Sequence, residues 1–160
     1  MNYKNLELLF DIIPPHPGLN IALIEENQDE IVQKLHTFAG EIEAVVHVKA
    51  LGEREEQKEE FLRVKSFSFE QSKYNNFSII YDFLFLCVDV SGRDDIELVF
   101  KKIYRVLKNA GNLLVFVKKD DKQRYMELLE EINYVALNSI DLNEETEVIT
   151  AKKMHGWKKV

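Results

Sequence analysis

The chain has 160 residues, 46% of them hydrophobic, which is enough to bury a core and excludes a disordered segment. Its formal net charge of −7 excludes a general nucleic-acid binder, which would need a cationic face. The apolar runs are too short to span a bilayer, and the first residues lack the basic start and cleavage site of a signal peptide. A cytoplasmic protein made of a single domain is therefore expected.

Tyr3 to Ile13 places Leu6, Leu9, Phe10 and Ile13 at helical spacing, which predicts a lead-in helix. Pro14-Pro15-His16-Pro17-Gly18 ends it, so residues 1–18 read as helix and loop, with His16 solvated. Asn20 to Ile24 is the first strand, and Glu25-Glu26-Asn27-Gln28-Asp29 follows at its carboxyl end. Ile31, Leu35 and Phe38 mark a helix that Asn27 or Asp29 can cap and Gly40 can end. Ala44 to Val48 is the second strand, completing a βαβ unit. Glu53 to Glu60 is so densely charged that a solvated helix with internal ion pairs is expected.

Leu62 to Phe69 alternates and reads as a third, shorter strand. Glu70 to Ser78 is polar and aromatic, with a turn at Tyr74-Asn75-Asn76-Phe77. An apolar fourth strand, Phe83 to Val90, then meets a turn at Ser91-Gly92. Cys87 lies inside this run, can form no internal disulfide and reads as a small buried hydrophobe.

Ile96, Val99, Phe100, Ile103 and Leu107 form the apolar stripe of the next helix. Asp94 and Asp95 suit the positive end of its dipole, and Lys101, Lys102, Arg105 and Lys108 the negative end. Asn109-Ala110-Gly111 supplies a left-handed stop, and Leu113 to Val117 is a fifth strand. Two apolar strands joined by a helix imply a parallel sheet covered on both faces. Asp120-Asp121 begin a further helix, with Tyr125, Leu128, Leu129 and Ile132 on one side. Val135 to Leu142 and Glu147 to Lys152 form a closing antiparallel hairpin. The tail from Lys152 to Lys159 is basic and reads as a frayed terminus. The fold class is α/β, a Rossmann-like, mostly parallel sheet with helices on both faces and a C-terminal antiparallel hairpin.

That element order resembles the class I S-adenosylmethionine-dependent methyltransferases. The most specific match is central: Tyr81-Asp82-Phe83 opens the fourth strand as an aromatic–Asp pair. The helix then ends in Arg105-Val106-Leu107-Lys108-Asn109-Ala110-Gly111, similar to the family's R-x-L-K-P-G-G, and Leu113 to Phe116 follows. The resemblance implies a G-x-G-x-G loop after the first strand, where the cofactor lies against bare backbone. Here that loop reads Glu25-Glu26-Asn27-Gln28-Asp29, without glycine.

The resemblance also implies an acid at the end of the second strand for the ribose hydroxyls, where this chain has Val46-His47-Val48-Lys49. A third acid contacts adenine after the third strand, and Glu70 can stand in for it. Glu25, Glu26, Asn27, His47 and Glu70 are thus the candidate cofactor contacts. Asp89, the carboxylate in the fourth strand's run, is the candidate catalytic residue; alternatively it caps the turn at Gly92.

The departures imply an interaction or structural module that does not bind S-adenosylmethionine in the usual way, its partner an unknown protein or small molecule. The alternative is an active S-adenosylmethionine-dependent enzyme with an atypical first loop, so the cofactor is S-adenosylmethionine or none. IALIEENQDE also resembles the start of receiver domains, where paired acids hold magnesium and Asp89 would accept a phosphoryl group. Glu25 and Asp89 lie too far apart in sequence for that, the closing hairpin is foreign to receivers, and no metal site is read from the chain.

Overall fold

Apolar runs become the central strands, because each can bury both faces at once only inside a covered sheet. The computed structural model describes residues 5–76 and 78–154. In chain order the elements are α1 (Leu6–Phe10), β1 (Asn20–Glu25), α2 (Asp29–Ile42), β2 (Val45–Leu51), β3 (Gln57–Glu59) and β4 (Leu62–Phe67). They continue with β5 (Tyr81–Leu86), α3 (Ile96–Val106), β6 (Leu107–Lys118), α4 (Lys122–Glu131), β7 (Tyr134–Asp141) and β8 (Thr146–Lys153). Tyr3, Phe77 and the basic tail beyond Met154 lie outside the described residues.

The strands form one eight-stranded sheet in the order β3-β4-β2-β1-β5-β6-β8-β7. The five from β4 to β6 are parallel, while β8 runs antiparallel to both β6 and β7. The Rossmann-like sheet and its closing hairpin are therefore as expected. The order reverses between β1 and β5, and this switch point opens a crevice at the strands' carboxyl ends.

Each face has its own core. Leu9, Phe10, Ile31 and Leu35 of α1 and α2 pack with Leu23, Val46, Val48 and Val64 on one side. Phe100, Ile103, Tyr125 and Leu129 of α3 and α4 pack with Ile24, Leu86, Val115 and Ile149 on the other. Tyr74 and Phe69 join the second core, so the loop expected to be surface is partly interior. The Tyr74 hydroxyl donates to the Phe69 carbonyl at 2.8 Å.

Several boundaries differ from the expectation, each for a physical reason. The segment from Glu53 to Glu60 is no helix: it turns and becomes the edge strand β3, antiparallel to β4. Its ion pairs leave the segment, with Arg54 reaching Glu25 and Asp29 and Glu56 reaching Lys65. Gly40 does not end α2, which continues to Ile42; Glu43 takes the left-handed conformation at φ 59°. Its N-cap residue is Gln28, with no side-chain cap from Asn27 or Asp29.

The second strand runs three residues past Val48, to Leu51, whereas the fourth stops at Leu86, before Cys87 and Asp89. Cys87 is half-buried, and burial pushes its thiol well above the usual range. In the Asn109-Ala110-Gly111 stop it is Ala110 that is left-handed, at φ 62°. Gly111 is required by space instead: a Cβ there would sit 2.8 Å from the Lys108 carbonyl oxygen and 3.1 Å from that of Tyr81. Asp82 accepts the Asn20 N–H at 2.9 Å, tying β5 to the start of β1.

Candidate functional site

The carboxyl ends of β1, β2, β4 and β5 border a cleft of about 610 Å³. Glu26, Glu53, Glu70, Asp89 and Arg93 line it, over Phe69 and Val88. Three of the residues singled out from sequence, Glu26, Glu70 and Asp89, thus converge on one space. Each arrives from a loop just beyond a strand, where a rigid sheet edge positions variable side chains.

Glu70 is held from two sides. Arg93 Nη2 donates to its Oε1 at 2.9 Å, and Ser68 Oγ donates to its Oε2 at 2.5 Å. Those bonds, the Ser68 hydroxyl first, hold its carboxyl at about 2, well below the usual range. Arg93 also grips Asp95 at 2.8 Å and lies over the Phe69 ring at 4.8 Å. Asp89 accepts the Ser91 N–H at 2.9 Å, closing its own turn, and meets Lys118 Nζ at 3.5 Å. The Ser91 bonds lower its carboxyl. It therefore makes the turn-capping contact and faces the cleft as well.

Glu25 departs from that group. It is completely buried, and its Oε1 meets Arg54 Nη1 at 3.3 Å, while its Oε2 accepts the Gln28 N–H at 3.3 Å. Arg54 also reaches Asp29, the first residue of α2, at 3.5 Å. One guanidinium thus ties the β2–β3 loop to the end of β1 and the start of α2. Arg54 was not singled out from sequence, because its charge was assigned to a solvated helix. Asn27 is left-handed at φ 56°, the conformation that makes glycine useful in such a loop and that asparagine tolerates best among other residues.

His47 does not reach the cleft. It is the third residue of β2 and pairs with Ala22, halfway along the sheet. Its Nε2 bonds Asn20 Oδ1 at 2.9 Å and its ring packs on Tyr81. Burial first, and then Lys49 and Arg63, lower it to about 4, so it is neutral at physiological pH. The expectation misplaced it because β2 runs on to Leu51. The acid beyond the true strand end is Glu53, which lines the cleft and which the sequence reading passed over. Among the described residues no group of three or more His, Cys, Asp or Glu side chains could hold a metal ion. No helix among them is long and apolar enough to cross a membrane. The receiver-like reading fails on topology, since an antiparallel pair closes the sheet and Glu25 is tied to Arg54.

A switch-point cleft on a mostly parallel sheet closed by β8 and β7 defines the fold of the S-adenosylmethionine-dependent methyltransferases, and solved structures bear this out. A SAM-dependent methyltransferase from Aquifex aeolicus is 13% identical, with a TM-score of 0.72 over 95% of this chain and 90% of that one. Human N-acetylserotonin methyltransferase, solved with SAM, is 12% identical with a TM-score of 0.71, over 94% of this chain and 52% of that one. Phosphoethanolamine N-methyltransferase 2 of Haemonchus contortus, solved with S-adenosylhomocysteine, is 12% identical with a TM-score of 0.67, over 95% and 53%. This chain thus spans about half the length of the last two. No protein-family model and no curated protein sequence matches it.

Proposed function

We propose that this chain is a methyltransferase-fold module that does not seat S-adenosylmethionine in the usual way and that serves an interaction or structural role. The observation that carries this reading is the Glu25–Arg54–Asp29 network at the end of β1. In the fold's enzymes the loop that follows the first strand is bare backbone against which the cofactor lies, and in this chain residues 26–28 form that loop, between β1 and α2. Here a buried carboxylate and a guanidinium link the same loop to its neighbours. Removing Arg54 leaves the buried Glu25 without its counter-charge, so the link resists displacement by a ligand. Leu8 and Ile12, 55% and 37% exposed, add an apolar pair beside α1 of the kind that partners cover.

A second reading is favoured by Asn27 and Glu53. The left-handed Asn27 reproduces the course of a glycine loop, and Glu53 stands where the family's ribose-binding acid is expected. Glu26, Glu53, Glu70 and Asp89 outnumber Arg93 in the cleft and make it net acidic, suited to a sulfonium cation bearing hydroxyls. On that reading Asp89 orients the nucleophile and the protein's contribution is to hold the reactants close.

Calorimetry on the full chain decides between them. The first reading expects no saturable heat from S-adenosylmethionine or its demethylated product. Micromolar binding that Glu53→Gln abolishes would replace it with the second.

A further inference from the structure

Away from the cleft, the sheet gathers three cationic side chains and a histidine on one face, although the chain as a whole is acidic. Val46, Val48, Leu62 and Val64 all face the α1–α2 core. The alternation of β-strands then turns His47, Lys49, Arg63 and Lys65 to the opposite face. Pairing of β2 with β4 sets His47 beside Arg63 and Lys49 beside Lys65. A pocket of about 460 Å³ opens there, bounded by His47, Arg63, Lys65, Lys58, Asn76 and Ile79.

The counter-charges are few. Glu56 is the one carboxylate lining the pocket among the described residues, and it meets Lys65 only at 3.8 Å from an exposed position. Arg63 Nη1 donates to the carbonyls of Glu59 and Leu62, which orients the guanidinium without neutralising it. Lys49, in register with Lys65, is 5% exposed, with its Nζ over the Tyr81 ring at 5.1 Å. No carboxylate pairs with Lys49 among the described residues. Burial, then the Lys65 charge, lower its amine to about 8. Buried charges are ordinarily paired, so this arrangement lacks an anion.

We propose that this pocket is a second ligand site, which binds a small molecule carrying a phosphate group. A guanidinium set between amines matches the tetrahedral oxyanion, as Arg pairs two oxygens and Lys supplies point charge. Asn76 and Ile79 add an amide and an apolar side chain to the lining, against which an attached organic group can pack. His47, expected in the cofactor cleft, belongs to this second site.

The test titrates the full chain with inorganic phosphate and pyrophosphate at constant ionic strength. The imidazole nitrogen signals of His47, assigned with His47→Gln, are followed by NMR. Saturable shifts are expected, with His47 protonating at higher pH in the bound form. Arg63→Gln with Lys65→Gln should weaken binding at least about tenfold. Lys58→Gln, on an exposed edge strand that tolerates the change, should weaken it by a smaller factor, and Glu56→Gln should strengthen it. Shifts that chloride reproduces, no saturable shift, or equal affinity in the Lys58 and Arg63/Lys65 variants would overturn the proposal.

Discussion

Replacing Arg54 by methionine removes the guanidinium while keeping an apolar stem of similar length. Breaking a fully buried ion pair by deleting one partner costs about 3–5 kcal/mol. Glu25 is fully buried, but the Arg54 side chain is 34% exposed and the contact is 3.3 Å. Solvent therefore screens part of the loss, and about 2 kcal/mol is the expected fall. Asp29 is exposed and adds little, so Asp29→Asn should change stability by less than about 0.5 kcal/mol. For a chain of this length the Arg54→Met fall corresponds to a drop in Tm of about 4–8 °C. Thermal and urea denaturation read it directly. Glu25→Gln combined with Arg54→Met should recover a good part of it, because no buried charge is then orphaned. If Arg54→Met unfolds at the wild-type midpoint, the guanidinium does not hold the loop and the argument for a closed first loop fails.

Ala110→Gly should raise stability by up to about 1 kcal/mol, since it relieves a left-handed alanine, while Gly111→Ala should cost at least about 2 kcal/mol by driving a Cβ into two carbonyl oxygens; equal effects at both positions in urea melts would contradict this. Tyr74→Phe should cost about 1 kcal/mol, because the Phe69 carbonyl keeps only the longer bond from Lys102 at 3.4 Å, and an unchanged urea midpoint would count against it. Lys49 gives a pH signature: its amine is lowered from 10.5 to about 8, so between those values the folded chain binds fewer protons than the unfolded one and stability rises with pH. The gain is up to about 3 kcal/mol and is absent below pH 8. In phosphate-free buffer Lys49→Met should therefore be more stable than wild type at pH 7.5, and the gap should shrink toward pH 9.5; a constant gap would refute the assignment.

The sheet was legible because its central strands, β1, β5 and β6, are apolar on both faces, and runs such as Phe83 to Leu86 have no other stable place. The closing hairpin was legible from a short polar link. What failed depended on neighbours distant in sequence. Lys49 interrupts the apolar run of β2, so the strand looked finished at Val48; its amine is housed by Tyr81, on another strand. That one error displaced His47 into the cleft and hid Glu53. Gln57-Lys58-Glu59 has no apolar residue and shows no strand period, yet pairing with β4 makes it one. Arg54 and Arg93 gain meaning only through Glu25 and Glu70, each more than twenty positions away. Of the cleft, Glu26, Glu70 and Asp89 were found because each follows a strand end, which sequence marks well.

The two outermost strands each carry a feature that discourages edge-to-edge pairing. At one margin β3 offers only charged or amide side chains, all exposed, and a stacking neighbour would have to bury them. At the other, β7 carries no charge from Tyr134 to Ile140, so repulsion cannot guard it. There the ladder slips between Val135 and Asn138, with Ala136 at φ 54°, and the strand bends away from the straight path that another backbone would need. One border is defended by solvation and the other by shape, and straightening the bend at Ala136 would leave an uncharged ribbon open to runaway polymerisation.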